Sequence, residues 1–169
     1  MPASPGVPLP IPEGPDNLRS LSRPDSLLSL QGGQRLMEEA SNAAVSQNYT
    51  LAEQKLKEAR QVFNQLSNFY SQLADSFSGI DNRISEVQRD SALSTAEMRD
   101  LATYQLALVH RAQERPELAV PLLIQIVRSQ NPTTELGKKA YQQLFELGFV
   151  DSPFPRPRAV QSAPPTSSR

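Results

Sequence analysis

His110 is the only imidazole in the chain. Acid–base catalysis by imidazole needs a neighbouring group that orients the ring and shares its proton. No Asp or Cys is spaced to do so, and the sequence contains no cysteine at all. Composition therefore excludes a His-paired metal set, a thiolate metal site, a cysteine nucleophile and a disulfide. His110 reads as a packing residue between helices. Carboxylate pairs fare no better. Glu38 and Glu39 are adjacent, and neighbours on a helix point about 100° apart, so they cannot flank one substrate. Glu97 and Asp100 form a looser pair, and both sets read as solvated faces. Gly32-Gly33 has no strand before it and no Gly-Lys-Ser/Thr after it, which removes the phosphate-loop reading and leaves a flexible helix start. No catalytic, cofactor-binding or metal-binding residue is assigned, no cofactor is expected, and binding is favoured over chemistry.

Charge narrows the partners. Lys+Arg 17 against Asp+Glu 18 gives a net charge of −1, so no electrostatic case exists for nucleic acid or an anionic membrane. No stretch approaches 18 uninterrupted apolar residues, and residues 1–24 contain no signal-peptide core. No membrane insertion is expected, and a soluble, cytoplasmic protein is the simplest expectation. The 15 prolines set the domain limits: seven fall in residues 1–24, five in 153–169, and only Pro116, Pro121 and Pro132 between. The expected organisation is a disordered Pro-rich tail over 1–24, a helical domain over 25–150 and a disordered Pro/Arg/Ser tail over 151–169. A middle of about 125 residues buries roughly two thirds of its unfolded surface, enough for a core. Pro153-x-Pro155-x-Pro157 with Arg156 and Arg158 suits a groove that reads polyproline helix, or else a plain linker.

The elements that must position any binding surface are helices, about five in number, in an all-α fold. Asp25-Ser26 are good N-caps for the first, which Gly32-Gly33 weakens until about Gln34 and which runs to Gln47 with Leu36, Met37, Ala40, Ala43 and Ala44 inward. The second carries Ala52, Leu56, Ala59, Phe63, Leu66, Tyr70, Leu73 and Phe77 at alternating steps of four and three, a single stripe over residues 50–78. One rod is favoured there over two helices. Residues 80–115 lack Gly and Pro, so a third long helix is expected from an Asp81 cap, with Ile80, Ile84 and Val87 opening its stripe. Ser94-Thr95-Ala96-Glu97 matches a capping box, which leaves a restart near Ser94 open. Pro116 opens the fourth helix, regular from about Leu118 because of Pro121. A threonine of Thr133-Thr134 caps the fifth, which ends at Leu147-Gly148-Phe149 with the apolar residue folding back.

Small residues recur at matched intervals. Ala40 precedes Ala52 by twelve residues, with Leu56 and Ala59 beyond, and Ala107 precedes Ala119 by the same twelve, with Leu123 beyond. This resembles the tetratricopeptide repeat, in which small residues at such spacings let paired antiparallel helices interlock. The two hairpins are offset by 67 residues, one short of two 34-residue periods. Tyr70-x-x-Leu73-Ala74-x-x-Phe77 looks like the first helix of a repeat between them, but Glu86 stands where its small partner belongs. The segment SNFYSQLADSFSGIDNRISE is faintly similar to helical-repeat proteins of cyanobacteria. The resemblance implies a concave face lined by the first helices, with Gln34, Met37, Glu38 and Ser41 on one hairpin and Tyr104, Leu108 and Arg111 on the other. Phe69 lies off the stripe, either docking a partner or covered by the third helix. Arg83, Glu86, Arg89, Asp90, Arg99 and Asp100 form a mixed-charge belt, solvated or a polar interface. The implied function is a protein-binding adaptor, scaffold or assembly factor that takes a peptide segment or helix of another protein. The alternative is a structural protein that self-associates into homo-oligomers along the Ala52–Phe77 stripe.

Overall fold

The computed structural model describes residues 26–155, which form five helices in an all-α arrangement. The residues of both tails outside that range, Asp25, Arg156, Pro157 and Arg158 among them, lie beyond the description.

Helix α1 (Leu30–Val45) starts at Ser29, whose extended backbone lets its hydroxyl accept from the Gly32 N–H at 2.9 Å. It begins four residues before the expected firm start at Gln34, because both glycines are buried in packing and do not loosen it. Helix α2 (Tyr49–Phe77) is one rod of 29 residues, capped by Asn48. Helix α3 (Asn82–Ala112) starts at Asp81, which accepts from the Ile84 N–H at 3.1 Å, and runs 31 residues without a restart at Ser94. The capping-box sequence is overridden there: the buried Thr95 hydroxyl donates back to Ser91 O at 2.8 Å and lies 3.1 Å from Ala92 O. Helix α4 (Pro116–Gln130) starts two residues earlier than Leu118. Pro121 still removes one backbone bond, and both it and Glu117, the residue four earlier, are exposed. Helix α5 (Glu135–Glu146) is capped by Thr134, which accepts from the Gly137 N–H at 3.1 Å.

The stops are equally specific. Phe149 N–H bonds Leu144 O at 2.9 Å and Gly148 N–H bonds Phe145 O at 3.0 Å, with Gly148 at φ +74°, a Schellman closure. Phe149 does not fold back as expected and is 57 % exposed. Val150 turns in instead, Phe154 sets its ring edge-on to Tyr141 at 5.9 Å, and the Tyr141 hydroxyl donates to Ser152 O at 2.6 Å. The packed chain therefore continues past residue 150, into the stretch expected to be tail.

Each helix packs chiefly on its neighbours in sequence, with α2 and α3 as the long antiparallel pair at the centre. One apolar cluster joins α1, α2 and α3 around Leu36, Ala40, Ala52, Leu56, Phe63 and Leu106. A second joins α3, α4 and α5 around Ala107, Ala119, Leu123, Ile126, Ala140 and Leu144. The Ala52–Leu66 part of the α2 stripe is thus consumed inside the chain, and Tyr70, Leu73 and Phe77 are half-buried. It does not present a continuous seam for a second copy. Towards the α2–α3 turn the pair closes on small residues: Ser67, Ala74, Ser85, Ala92 and Thr95 are buried. Ser67 donates to Ala92 O at 3.1 Å and Ser85 to Ala74 O at 2.8 Å. Ile80 and Val87 stay 80 % and 56 % exposed, against the expected stripe: Ile80 sits in the turn before α3, and at Val87 the close two-helix seam admits hydroxyls and methyls and leaves the larger side chain at its flank.

Candidate protein-binding surface

Helices α1 and α3 are both joined to α2 but touch each other only sparsely. Between them lies an open cleft of 290 Å³, lined by Ala40, Ser41 and Ala44 of α1, Tyr49 and Leu56 of α2, and Gln105, Leu108, Val109 and Ala112 of α3. Its walls are mostly methyl and methylene groups, because α1 carries alanines where a bulkier helix would close the gap. Ser41 and Gln105 supply the polar rim.

Of the residues expected to bind a partner, Ser41 and Leu108 meet in this cleft. Gln34 and Glu38 are exposed on α1 but do not line it. Met37, expected both on the inward face of the first helix and on the partner surface, is only 8 % exposed and belongs to the first apolar cluster with Leu36 and Ala40; it keeps the inward place, and the surface one is corrected. Tyr104 and Arg111 face α5. Arg111 hydrogen-bonds Gln143 and pairs with Glu146. Tyr104 packs against the second cluster and meets Gln143, and its burial pushes the phenol above its ordinary value. Both are therefore struts between α3 and α5 as well as parts of the surface. Phe69 is 54 % exposed and not covered by α3, with an edge contact to Tyr70 at 5.5 Å; it takes no part in the cleft.

The residues first weighed for chemistry are all engaged structurally or solvated. His110 is 4 % exposed, with its Nδ1 3.2 Å from Gln113 Oε1. Gln113 reaches on to Glu53, which also pairs with Lys57; that bond, against the opposing effect of burial, holds the Glu53 carboxyl below its usual range. Glu39 pairs with Lys55 at 2.7 Å and Glu38 stays exposed. Asp100 overturns its reading as part of a solvated face. It is completely buried, pairs with Arg99 at 2.9 Å, and accepts from Ser129 at 2.6 Å and Gln130 at 2.7 Å. Its partners on α4 lie about thirty residues downstream, so local spacing held no signal of them. Arg83, Glu86, Arg89 and Asp90 do form an exposed belt.

No family model matches the chain, and neither a curated protein nor a solved structure matches it. Among the described residues no helix is long and apolar enough to cross a membrane.

Proposed function

We propose that this chain is a protein-binding adaptor or assembly factor of tetratricopeptide-like design, which captures an apolar segment of another protein in the α1–α3 cleft and performs no catalysis. The observation that carries this reading is the cleft itself: an open groove floored by Tyr49 and Leu56 of α2, with Leu108 on one wall and Ser41 beside the alanines of α1 on the other. A groove of this kind suits an amphipathic helix or extended peptide that inserts one or two apolar side chains and lies along the polar rim.

The repeat relationship has structural support in the turns. After α1, Gln47 adopts φ +59° and Asn48 N–H bonds Ala43 O at 2.8 Å; after α3, Glu114 adopts φ +57° and Arg115 N–H bonds His110 O at 2.9 Å. These equivalent closures are 67 residues apart, the same offset that relates Ala40 to Ala107 and Ala52 to Ala119. The shortfall from two full periods coincides with the middle pairing, where the small residue facing Ala74 is Ser85 and not position 86.

The test is peptide selection from a random displayed library on the immobilised full chain. Recovered peptides are expected to share an apolar anchor. Leu108→Asp, at a half-buried site, should weaken them about tenfold or more, whereas Phe69→Ala should leave them unaffected. Peptides that bind the Leu108→Asp chain as well as the parent would sink the proposal.

A further inference from the structure

A second recess, of 340 Å³, shares no lining residue with the α1–α3 cleft. Lys57, Arg60, Gln61 and Asn64 of α2 line it, with Arg99 of α3 and Gln125 of α4. Three cations and three amides meet there, on a chain whose overall charge is close to zero. Two of the cations are already compensated, Arg99 by Asp100 and Lys57 by Glu53. Arg60 is not. Among the described residues it has no ion-pair partner, and its bonds run to neutral acceptors: Nε to Thr103 Oγ1 at 2.9 Å and Nη2 to Gln125 Oε1 at 3.4 Å.

A guanidinium carries five N–H donors in a rigid fork matched to two oxygens of one anion. Thr103 and Gln125 engage only part of that fork. Burial, and after it the like charge of Arg99, disfavour the charged form of Arg60; the Asp100 carboxylate, already bonded to Arg99, Ser129 and Gln130, offsets them only in part. A half-buried cation beside another cation, bonded directly to a hydroxyl and an amide while the carboxylate within its reach is committed to other donors, is incomplete as a purely structural device. We propose that this recess is an oxyanion site, in which a phosphate or carboxylate group bridges the unused N–H edge of Arg60 while Lys57, Arg99 and the side-chain amides of Gln61 and Asn64 surround it. The site is independent of the α1–α3 cleft, so the chain would hold an acidic or phosphorylated group with α2, α3 and α4 while α1 and α3 hold an apolar segment.

The test uses the full chain labelled with ¹⁵N, following the arginine Nε–Hε signals during titration with inorganic phosphate, with succinate, and with chloride at matched ionic strength. The Arg60 signal should shift saturably with phosphate or succinate and not with chloride; the tighter of the two identifies a phosphoryl or a carboxylate ligand. Arg60→Gln, followed on the Arg99 signal of the same recess, should raise the half-saturating concentration about tenfold or more, as expected for loss of a charge-assisted contact. Asn64→Asp leaves Arg60 in place and alters an exposed residue, so it preserves folding while setting a carboxylate in the recess; it should abolish the response. Equal shifts in chloride, or a midpoint unchanged in both variants, would overturn the assignment.

Discussion

Gly33 owes its place to Phe63. The ring is completely buried, and a Cβ added at Gly33 would stand 2.5 Å from Cζ and 2.6 Å from Cε1. Elsewhere in a helix Gly→Ala gains about 1 kcal/mol from backbone entropy. Here the ring has no room to yield, so Gly33→Ala is expected to destabilise the fold by about 1–3 kcal/mol, the range for overpacked cores. Urea unfolding measures this, and a more stable variant would show that the contact relaxes freely. Asp100 illustrates the opposite case, a charge made tolerable by its neighbours. Arg99, Ser129 and Gln130 all donate to it, so the buried carboxylate has both a counter-charge and hydrogen bonds.

At the level of helices, α5 is attached to α3 partly by titratable groups. Arg111 holds the Glu146 carboxyl below its ordinary value of 4.5, with Gln142 contributing next. Because the folded value is depressed, the stabilisation is fully present above about pH 4.5 and is lost as pH falls through the folded value. The pair is exposed, so its effect is small and screened by salt. Acidification through that window should lower the melting temperature less steeply in Glu146→Gln than in the parent chain. Identical slopes would mean that Arg111 serves the surface and not the α3–α5 attachment. The α1–α3 cleft arises from a different relation between helices: α1 and α3 both spend their apolar faces on α2, and the alanines of α1 leave the space between them open.

Across the molecule, stability follows the order of stacking. A chain in which each helix rests mainly on its sequence neighbours behaves as a short one-dimensional array, whose ends open at lower cost than its centre. Helices α2 and α3 contribute to the first cluster from both sides, whereas α5 adds only Ala140 and Leu144 as fully buried apolar residues. Amide hydrogen exchange should therefore be slowest between Leu56 and Leu66 and around Ala102–Leu106, and markedly faster throughout α5. Equal protection in α5 would show a single cooperative unit with no hierarchy. The same arrangement lets the α1–α3 cleft and the Arg60 recess occupy separate junctions of one scaffold.

Much of this was written locally. The alternating four-and-three stripe of Ala52–Phe77, the caps at Asp81 and Thr134, and the Gly148 stop each depend on residues within one or two turns, so number, type and approximate span of the helices were legible from the chain alone. Ala40 and Ala52 share the first apolar cluster, and Ala107 and Ala119 the second. What only tertiary packing decided are relations across tens of residues: Asp100 buried against Ser129, Gly33 claimed by Phe63, Arg60 bonded to Thr103 and Gln125. Periodicity identifies a face but not what will cover it. Burial and pairing belong to the neighbour that arrives, and that neighbour is chosen by the path of the whole chain.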